Sequence, residues 1–170
     1  MYNVNDIIVY GSVGVFKITS ISQMDNDLGN ESEKKSYYVL SSLFNNETVY
    51  VPIDNPNIFI RSVISKENAE KLIDNIPNIS VQAYHSRNLQ QLSEHYKNAF
   101  KSHNCEDLIE LVMSIHLKKQ NAKQNKKRIG QIDEKFMKKA ENLLYEELSV
   151  SLGIPKDQVS EYISSRVNIN

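Results

Sequence analysis

The feature that most constrains this chain is a change in the spacing of its apolar residues near position 65. Before this position, apolar and polar side chains alternate in short runs such as 15–21, a period typical of half-buried β-strands. After it, apolar residues recur every three or four positions, which is the period of an amphipathic helix. The sequence therefore predicts an α+β fold with a β-rich head, residues 1–63, followed by an all-α tail, residues 64–170.

The head contains at least four candidate strands. They are separated by residues that favour turns, such as Asn45 and Asn46, and they lie at 7–10, 15–21, 37–40 and 48–51. Pro52 ends the last of these runs, and the polar stretch 25–35 predicts a mobile hairpin loop. Four or five short antiparallel strands in so short a segment predict a small Tudor- or SH3-like β-barrel.

The tail predicts a bundle of about five helices. Ser65 and Asn104 are candidate N-caps, because their side chains can accept a hydrogen bond from the first helical turn. Gly130 separates two long helices, while Gly153 followed by Pro155 marks the end of one helix and the start of the next. A further helix is predicted from the spacing of Leu89, Leu92, Tyr96 and Phe100.

The charge of the chain is nearly balanced overall but unevenly distributed. The chain has 20 basic and 21 acidic side chains, yet residues 118–139 contain nine basic and two acidic ones, a local charge of 9 − 2 = +7. Such a segment is either a solvated helix face or a surface for a polyanionic partner. Both interpretations stay open from composition alone.

Composition predicts a soluble intracellular protein. Hydrophobic residues make up 40% of the chain, mean hydropathy is -0.47, and no run approaches the roughly 20 apolar residues of a membrane span. The first residues lack the basic and apolar regions of a signal peptide. Cys105 is the single cysteine, which excludes an internal disulfide and a multi-cysteine metal site and fits a cytoplasmic location.

No catalytic constellation is found in the sequence. The sequence contains none of three common motifs: the glycine-rich phosphate loop, the paired histidines of metalloproteases and the nucleophile elbow of hydrolases. Cys105 near a predicted helix start is either a reactive thiol or a partly buried cysteine. His95 and His103 are eight positions apart and could share a helix face, or they are surface residues. The sequence predicts no enzyme, no metal site and no cofactor.

Several segments resemble the CarD/CdnL family of bacterial transcription regulators, over nearly the full length of the chain. In the head these are 5–10 (NDIIVY), 36–40 (SYYVL), 49–55 (VYVPIDN) and 60–65 (IRSVIS). In the tail they are 138–148 (KKAENLLYEEL) and 152–154 (LGI). The head is similar to the RNA-polymerase-interacting domain shared with transcription-repair coupling factors. The tail, together with the absence of helicase motifs, favours the regulator.

The resemblance implies a docking site on RNA polymerase and a contact with promoter DNA. The head would add an edge strand to the lobe of the polymerase β subunit through Val49, Tyr50, Val51, Pro52 and Arg61. The tail would lie at the upstream edge of the transcription bubble, stabilise the open complex and contact DNA largely independently of sequence. The candidate DNA-binding residues are Arg87, Leu89, Lys118, Lys119, Lys123, Lys126, Lys127, Arg128, Lys135, Lys138 and Lys139.

The chain departs from the family pattern in the head. Gly11 and Val13 stand where the family opening has a proline and a histidine, which predicts a looser turn. Tyr50 stands where a basic residue often precedes the Val-Pro pair, so one polymerase contact of the family is altered.

The largest departure concerns the wedge that family members insert between bases. They commonly use a tryptophan early in the second tail helix, and this chain has no tryptophan. Counting back without gaps from Asn104 places Leu89 at that position, and a slip of one residue gives Asn88. Leu89 is either this wedge or a helix-packing residue, and Tyr84 and Arg87 lie close enough to substitute.

Three functional hypotheses follow. The first is a polymerase-bound regulator that stabilises open complexes through Leu89 and the basic segment. The alternative is a polymerase-docking protein without a functional wedge, which acts by phosphate contacts or by competing for the β lobe. An enzyme with an unrecognised site ranks third. A monomer is expected, with a domain-swapped dimer as the other possibility.

Overall fold

The computed structural model describes residues 1–25 and 34–168. The strands of the head are β1 (Ile7–Tyr10), β2 (Gly14–Asp25), β3 (Lys34–Ser42), β4 (Thr48–Pro52) and β5 (Ile60–Ser62). They form one antiparallel sheet in the order β4-β3-β2-β1-β5. The predicted hairpin loop at 25–35 lies mostly outside the described residues, and its described ends belong to β2 and β3.

The sheet curls around an apolar core to which all five strands contribute. Tyr2 bridges two strands that are not neighbours in the sheet. Its backbone N–H donates to the hydroxyl of Tyr38 on β3 (3.1 Å), and its own hydroxyl donates to the carbonyl of Ile60 on β5 (3.4 Å). This curvature gives the barrel-like shape that the sequence predicts. The buried core residues are Ile8, Phe16, Ile18, Tyr38, Leu40 and Val51, with Ile60 packed against them.

The described residues of the tail form five α-helices, in agreement with the predicted bundle of about five. They are α1 (Lys66–Asp74), α2 (Leu89–Asn98), α3 (Cys105–Gln124), α4 (Gln131–Leu152) and α5 (Val159–Val167), with short 3₁₀ turns at Ile76–Asn78 and Lys156–Gln158. The predicted fold class, a small antiparallel β domain followed by a helical bundle, is therefore confirmed.

Local hydrogen bonds fix the helix ends where the sequence predicted them. The hydroxyl of Ser65 accepts from the N–H of Asn68, and the side-chain oxygen of Asn104 accepts from the N–H of Asp107. Gly153 ends α4 in the left-handed conformation, with φ +67°. These caps satisfy backbone groups that the helices cannot pair internally.

Two apolar clusters hold the tail together, and α3 and α4 contribute to both. The first cluster joins α1 and α5 to the start of α3 and the second half of α4. The second joins α2 to the first half of α3 and the first half of α4. These parts of α2, α3 and α4 therefore pack together.

The chain divides into two compact units, Met1–Val63 and Ile64–Asn170. Ile64 is anchored within the second unit by both of its backbone polar groups: its N–H donates to the Glu147 carboxylate (3.0 Å), and its carbonyl accepts from the Ser151 hydroxyl (2.8 Å). Among the described helices, none combines the length and the apolar character that a membrane crossing requires.

Candidate protein- and nucleic-acid-binding surfaces

Strand β4 forms one edge of the sheet, and its pairing with β3 decides which of its backbone groups face outward. The N–H of Ser42 donates to the carbonyl of Glu47 at one end of this ladder, and the N–H of Ile53 donates to the carbonyl of Ser36 at the other. Hydrogen-bonded pairs alternate along an antiparallel ladder, and the register between these ends is unbroken. Val49 and Val51 therefore direct their N–H and C=O groups to β3. Thr48 and Tyr50 direct theirs to the outer edge.

The side chains of β4 divide in the same alternating way between the two faces of the sheet. Val51 is buried in the core and Val49 packs against it. Tyr50 is 53% exposed, and Pro52, which has no N–H, ends the strand. Of the predicted polymerase contacts on β4, Tyr50 alone offers both an exposed large side chain and a pair of outward backbone groups.

Arg61 lies at the other end of the strand order, on β5. This strand has three residues, and the carbonyl of Ile60 on it already accepts from the Tyr2 hydroxyl. The strand order therefore places Arg61 and Tyr50 on different edges of the sheet. The longer edge is that of β4.

The basic loop between α3 and α4, residues 125–130, begins with a Schellman motif. The N–H of Lys126 donates to the carbonyl of Lys123 (3.0 Å), and the N–H of Lys127 donates to the carbonyl of Ala122 (2.8 Å), which is the double hydrogen bond of that motif. Lys126 occupies its left-handed position, with φ +54°, where glycine is the usual residue. The loop ends at Gly130, the N-cap of α4.

Basic side chains around this loop line one concave surface, which we call the basic cleft. Its volume is about 680 Å³, and besides Ile129 and Glu134 it is lined by Lys119, Lys123, Lys126, Lys127 and Arg128. All five basic residues are exposed. Lys119 lies 3.6 Å from the exposed carboxylate of Glu134, a pair that contributes little in water. The cleft is therefore a cationic concavity with one carboxylate at its border.

Lys118, another predicted DNA contact, is placed differently from the cleft residues. Its ammonium lies 2.8 Å from the carboxylate of Asp133, and the two side chains are 12% and 4% exposed. The hydroxyl of Tyr96 donates to the same carboxylate oxygen (2.6 Å). Burial, together with this hydrogen bond, raises the pKa of Tyr96. The structure therefore gives Lys118 an internal partner.

The three basic residues of α4 lie on its first half. Lys135 and Lys138 are exposed. The ammonium of Lys139 lies 4.9 Å from the centre of the Phe100 ring, within the range of a cation–π contact. These positions extend the positive surface along α4, away from the basic cleft.

The start of α2 carries the candidate wedge. Asn88 is the N-cap of this helix and accepts from the N–H groups of Gln90 and Gln91. Leu89, the first helical residue, is 63% exposed, so the packing alternative for Leu89 is wrong. The neighbouring Arg87 is exposed as well.

Tyr84, the other aromatic candidate, is held in place by packing. Its ring stacks on that of His95, with centroids 3.6 Å apart and planes at 10°, and it contacts the second apolar cluster. His85 lines a cavity of about 500 Å³ together with Lys118, Lys127 and Arg128. Leu89 is four residues from His85, so their Cα atoms are at most about 14 Å apart.

The candidate catalytic groups do not form a reactive site. Cys105 is buried, and its thiol lies 3.1 Å from the Glu147 carboxylate, which is an internal hydrogen bond. The proposal that His95 and His103 share a helix face is wrong, because α2 ends at Asn98. Within the described ranges, no three metal-binding side chains are grouped to hold an ion.

The head is thus a small curled antiparallel sheet with an open edge strand, an architecture suited to binding another protein's strand. Residues 2–64 match the family model of the CarD-like/TRCF RID domain. The match covers nearly the whole of the first compact unit, so the head is similar to the CarD-like/TRCF RID domain. None of the curated proteins matches the chain significantly. The family match ends at the first residue of the tail.

Proposed function

We propose that this protein is a transcription regulator that docks on the lobe of the RNA polymerase β subunit and stabilises the promoter open complex. The observation that carries this proposal is the open edge of β4 within a domain that matches an RNA-polymerase-interacting family. Strand addition needs a run of outward N–H and C=O groups and exposed side chains beside them. Thr48 and Tyr50 supply the backbone groups, and Tyr50 supplies the exposed side chain.

The geometry of the β4 edge limits how many residues of a partner strand can pair with it. Pro52 has no N–H, so pairing on the outer edge cannot continue through it as a full ladder. A partner strand therefore pairs chiefly with Thr48 and Tyr50, and the rest of its contact must come from side chains. The phenol ring of Tyr50 favours an apolar or aromatic neighbour over the carboxylate that a basic residue would bind.

The tail supports the second half of the proposal. The five cations of the basic cleft and the exposed lysines of α4 can neutralise phosphates in a sequence-independent manner. Leu89 at the start of α2 is an exposed apolar side chain of the kind that inserts between base pairs. We propose that both contact promoter DNA at the edge of the bubble. The alternative is a polymerase-docking protein without a functional wedge, which acts by phosphate contacts or by competing for the β lobe.

Docking is tested by calorimetry with the full-length chain and an isolated lobe of the polymerase β subunit. The matched variants are Tyr50→Ala, which removes the ring, and Tyr50→Pro, which removes the ring and the outward N–H. Since that N–H is not part of the β3–β4 ladder, proline is compatible with this edge position, and thermal melting checks that both variants fold. We expect micromolar or tighter binding by the wild type, weaker binding by Tyr50→Ala and the weakest by Tyr50→Pro.

Two results would contradict parts of this proposal. If the folded wild-type chain does not bind the lobe, the docking function is absent. If both Tyr50 variants bind equally well, docking does not use strand addition at this edge.

A further inference from the structure

We infer that Asp133 is a positioning residue that holds the basic cleft in its DNA-binding shape, and that Lys118 is its internal partner and not a phosphate contact. The DNA-binding part of this inference rests on the proposed function of the tail. The inference concerns a buried carboxylate on α4 and three hydrogen-bond donors from three other parts of the tail.

Asp133 accepts hydrogen bonds from α2, α3 and the basic loop. It is 3% exposed. One of its oxygens accepts from the Tyr96 hydroxyl on α2 (2.6 Å) and from the Lys118 ammonium on α3 (2.8 Å). The other accepts from the N–H of Gly130 (3.1 Å), where the basic loop ends. One side chain thus joins α2, α3 and the loop to α4.

Only a carboxylate satisfies these three donors together. An ionised aspartate presents two oxygens with about four acceptor sites, whereas an asparagine presents one oxygen and an NH₂ group that is itself a donor. In Asp133→Asn, the NH₂ group would face at least one of the present donors. Lys118 would keep its buried charge but lose its counter-charge, which is costly. The arrangement therefore depends on the charge of Asp133 as well as on its shape.

The network fixes the basic loop at both of its ends. The Schellman hydrogen bonds of Lys126 and Lys127 hold the loop to the end of α3. The bond between Asp133 and Gly130 holds it to the start of α4. Lys126, Lys127 and Arg128 lie between these two points and all line the cleft. Fixing their backbone before DNA binds lowers the ordering cost of binding.

Duplex binding by the full-length chain distinguishes this role from a simple charge effect. Asp133→Asn and Glu134→Gln each remove one negative charge from neighbouring positions of α4. A charge effect alone would make both variants bind a short duplex more tightly. We expect Glu134→Gln to bind more tightly, because it releases Lys119, and Asp133→Asn to bind on the order of five- to tenfold more weakly, because the cleft loses its preorganisation. Tighter or unchanged binding by a folded Asp133→Asn variant would overturn the inference.

The salt dependence of binding tests the assignment of Lys118. Each phosphate contact contributes about 0.9 to the slope of log K against log salt. Lys123→Gln should lower that slope by about this amount, and Lys118→Gln should leave it unchanged. A slope that falls equally in both variants would make Lys118 a phosphate contact.

Amide hydrogen exchange tests the positioning role without DNA. The amides of residues 126–131 should exchange faster in Asp133→Asn than in the wild type and should be unchanged in Glu134→Gln. Equal exchange in all three proteins would overturn the inference. If the wild type does not bind a duplex but Asp133→Asn still loosens the loop, the DNA-binding proposal fails and the positioning role stands.

Discussion

Lys126 and Gly153 occupy the same left-handed backbone region, with φ +54° and +67°, just after α3 and α4 respectively. The region is unfavourable for residues that have a Cβ atom, and glycine is the usual choice at such helix ends. Gly153 follows that preference, while Lys126 does not. The exception falls in the loop that lines the basic cleft, and backbone strain of this kind is often kept where it serves binding.

Lys126→Gly should therefore raise stability and weaken DNA binding at once. We expect the free energy of unfolding to rise by about 0.5–1 kcal/mol, because glycine relieves the left-handed strain. Affinity for duplex DNA should fall because one cation of the cleft is lost. Urea denaturation and a salt titration of DNA binding measure the two effects. Gly153→Ala is the control at the other helix end: it should lose about 1 kcal/mol of stability with DNA affinity unchanged.

Leu89→Ala should shorten the lifetime of the promoter open complex without changing polymerase affinity. Because Leu89 is exposed, its truncation should cost the tail little stability. Open-complex lifetime is measured by challenge with a competitor, with Gln90→Ala as the neighbouring exposed control. An unchanged lifetime in Leu89→Ala would leave docking without a wedge as the function.

The ion pair between Arg166 on α5 and Asp74 on α1 should make stability fall at low pH. Arg166 donates to both carboxylate oxygens of Asp74, at 2.5 and 2.9 Å, and this hydrogen bonding holds the pKa of Asp74 below its ordinary value. A lowered pKa in the folded state gives stability that is present above about pH 3.9 and is lost as pH falls through the folded-state pKa. Asp74→Asn should have a lower melting temperature than the wild type at pH 7, and the difference between the two melting temperatures should narrow towards pH 3. A gap that does not depend on pH would contradict this account.

Tyr96 should make the stability of the protein depend on pH in the alkaline range. Its pKa is raised by burial first and by the hydrogen bond to Asp133 second. A raised pKa gives stability that is present below about pH 10 and is lost as pH rises above it, because the unfolded chain releases the proton more readily. The absorbance of ionised tyrosine in the wild type, compared with Tyr96→Phe, should show that this phenol ionises at a higher pH than an ordinary tyrosine. Ionisation of Tyr96 at the pH of an ordinary tyrosine would contradict the buried hydrogen bond.

Features that depend on neighbouring residues could be predicted from the sequence. The caps at Ser65 and Asn104 involve partners three residues away, so the local pattern contains all the information that is needed. The strands β1 to β4 follow from short runs of apolar, β-branched and aromatic residues bounded by turn residues, and the end of α4 follows from Gly153. The same reasoning predicts β4 as a strand but not as an edge, because strand order depends on pairings across the whole head.

Features that depend on distant partners could not be predicted. A count of charges predicts Lys118 and Lys123 equally as DNA contacts. The structure, however, pairs the ammonium of Lys118 with the carboxylate of Asp133, which is fifteen residues away on the next helix. The apolar spacing groups Leu89 with Leu92 on one helix face, but Leu89 is the first residue of α2, where no preceding turn covers it. Cys105 stands at a helix start, yet it is buried beside Glu147, forty-two residues away. In each case tertiary packing decides what the side chain does.

The short edge of β4 also limits how well two copies of the protein could pair edge to edge. Edge strands invite pairing with any extended chain, and proteins protect them by keeping them short or by adding proline. β4 has both protections, since it is five residues long and ends in Pro52. Two copies meeting edge to edge would have only Thr48 and Tyr50 on each side to form a ladder, which is too little for an isolated pair of strands. Pairing at this edge therefore favours a partner that adds side-chain contacts of its own, and the missing N–H of Pro52 disfavours edge-to-edge pairing of two copies.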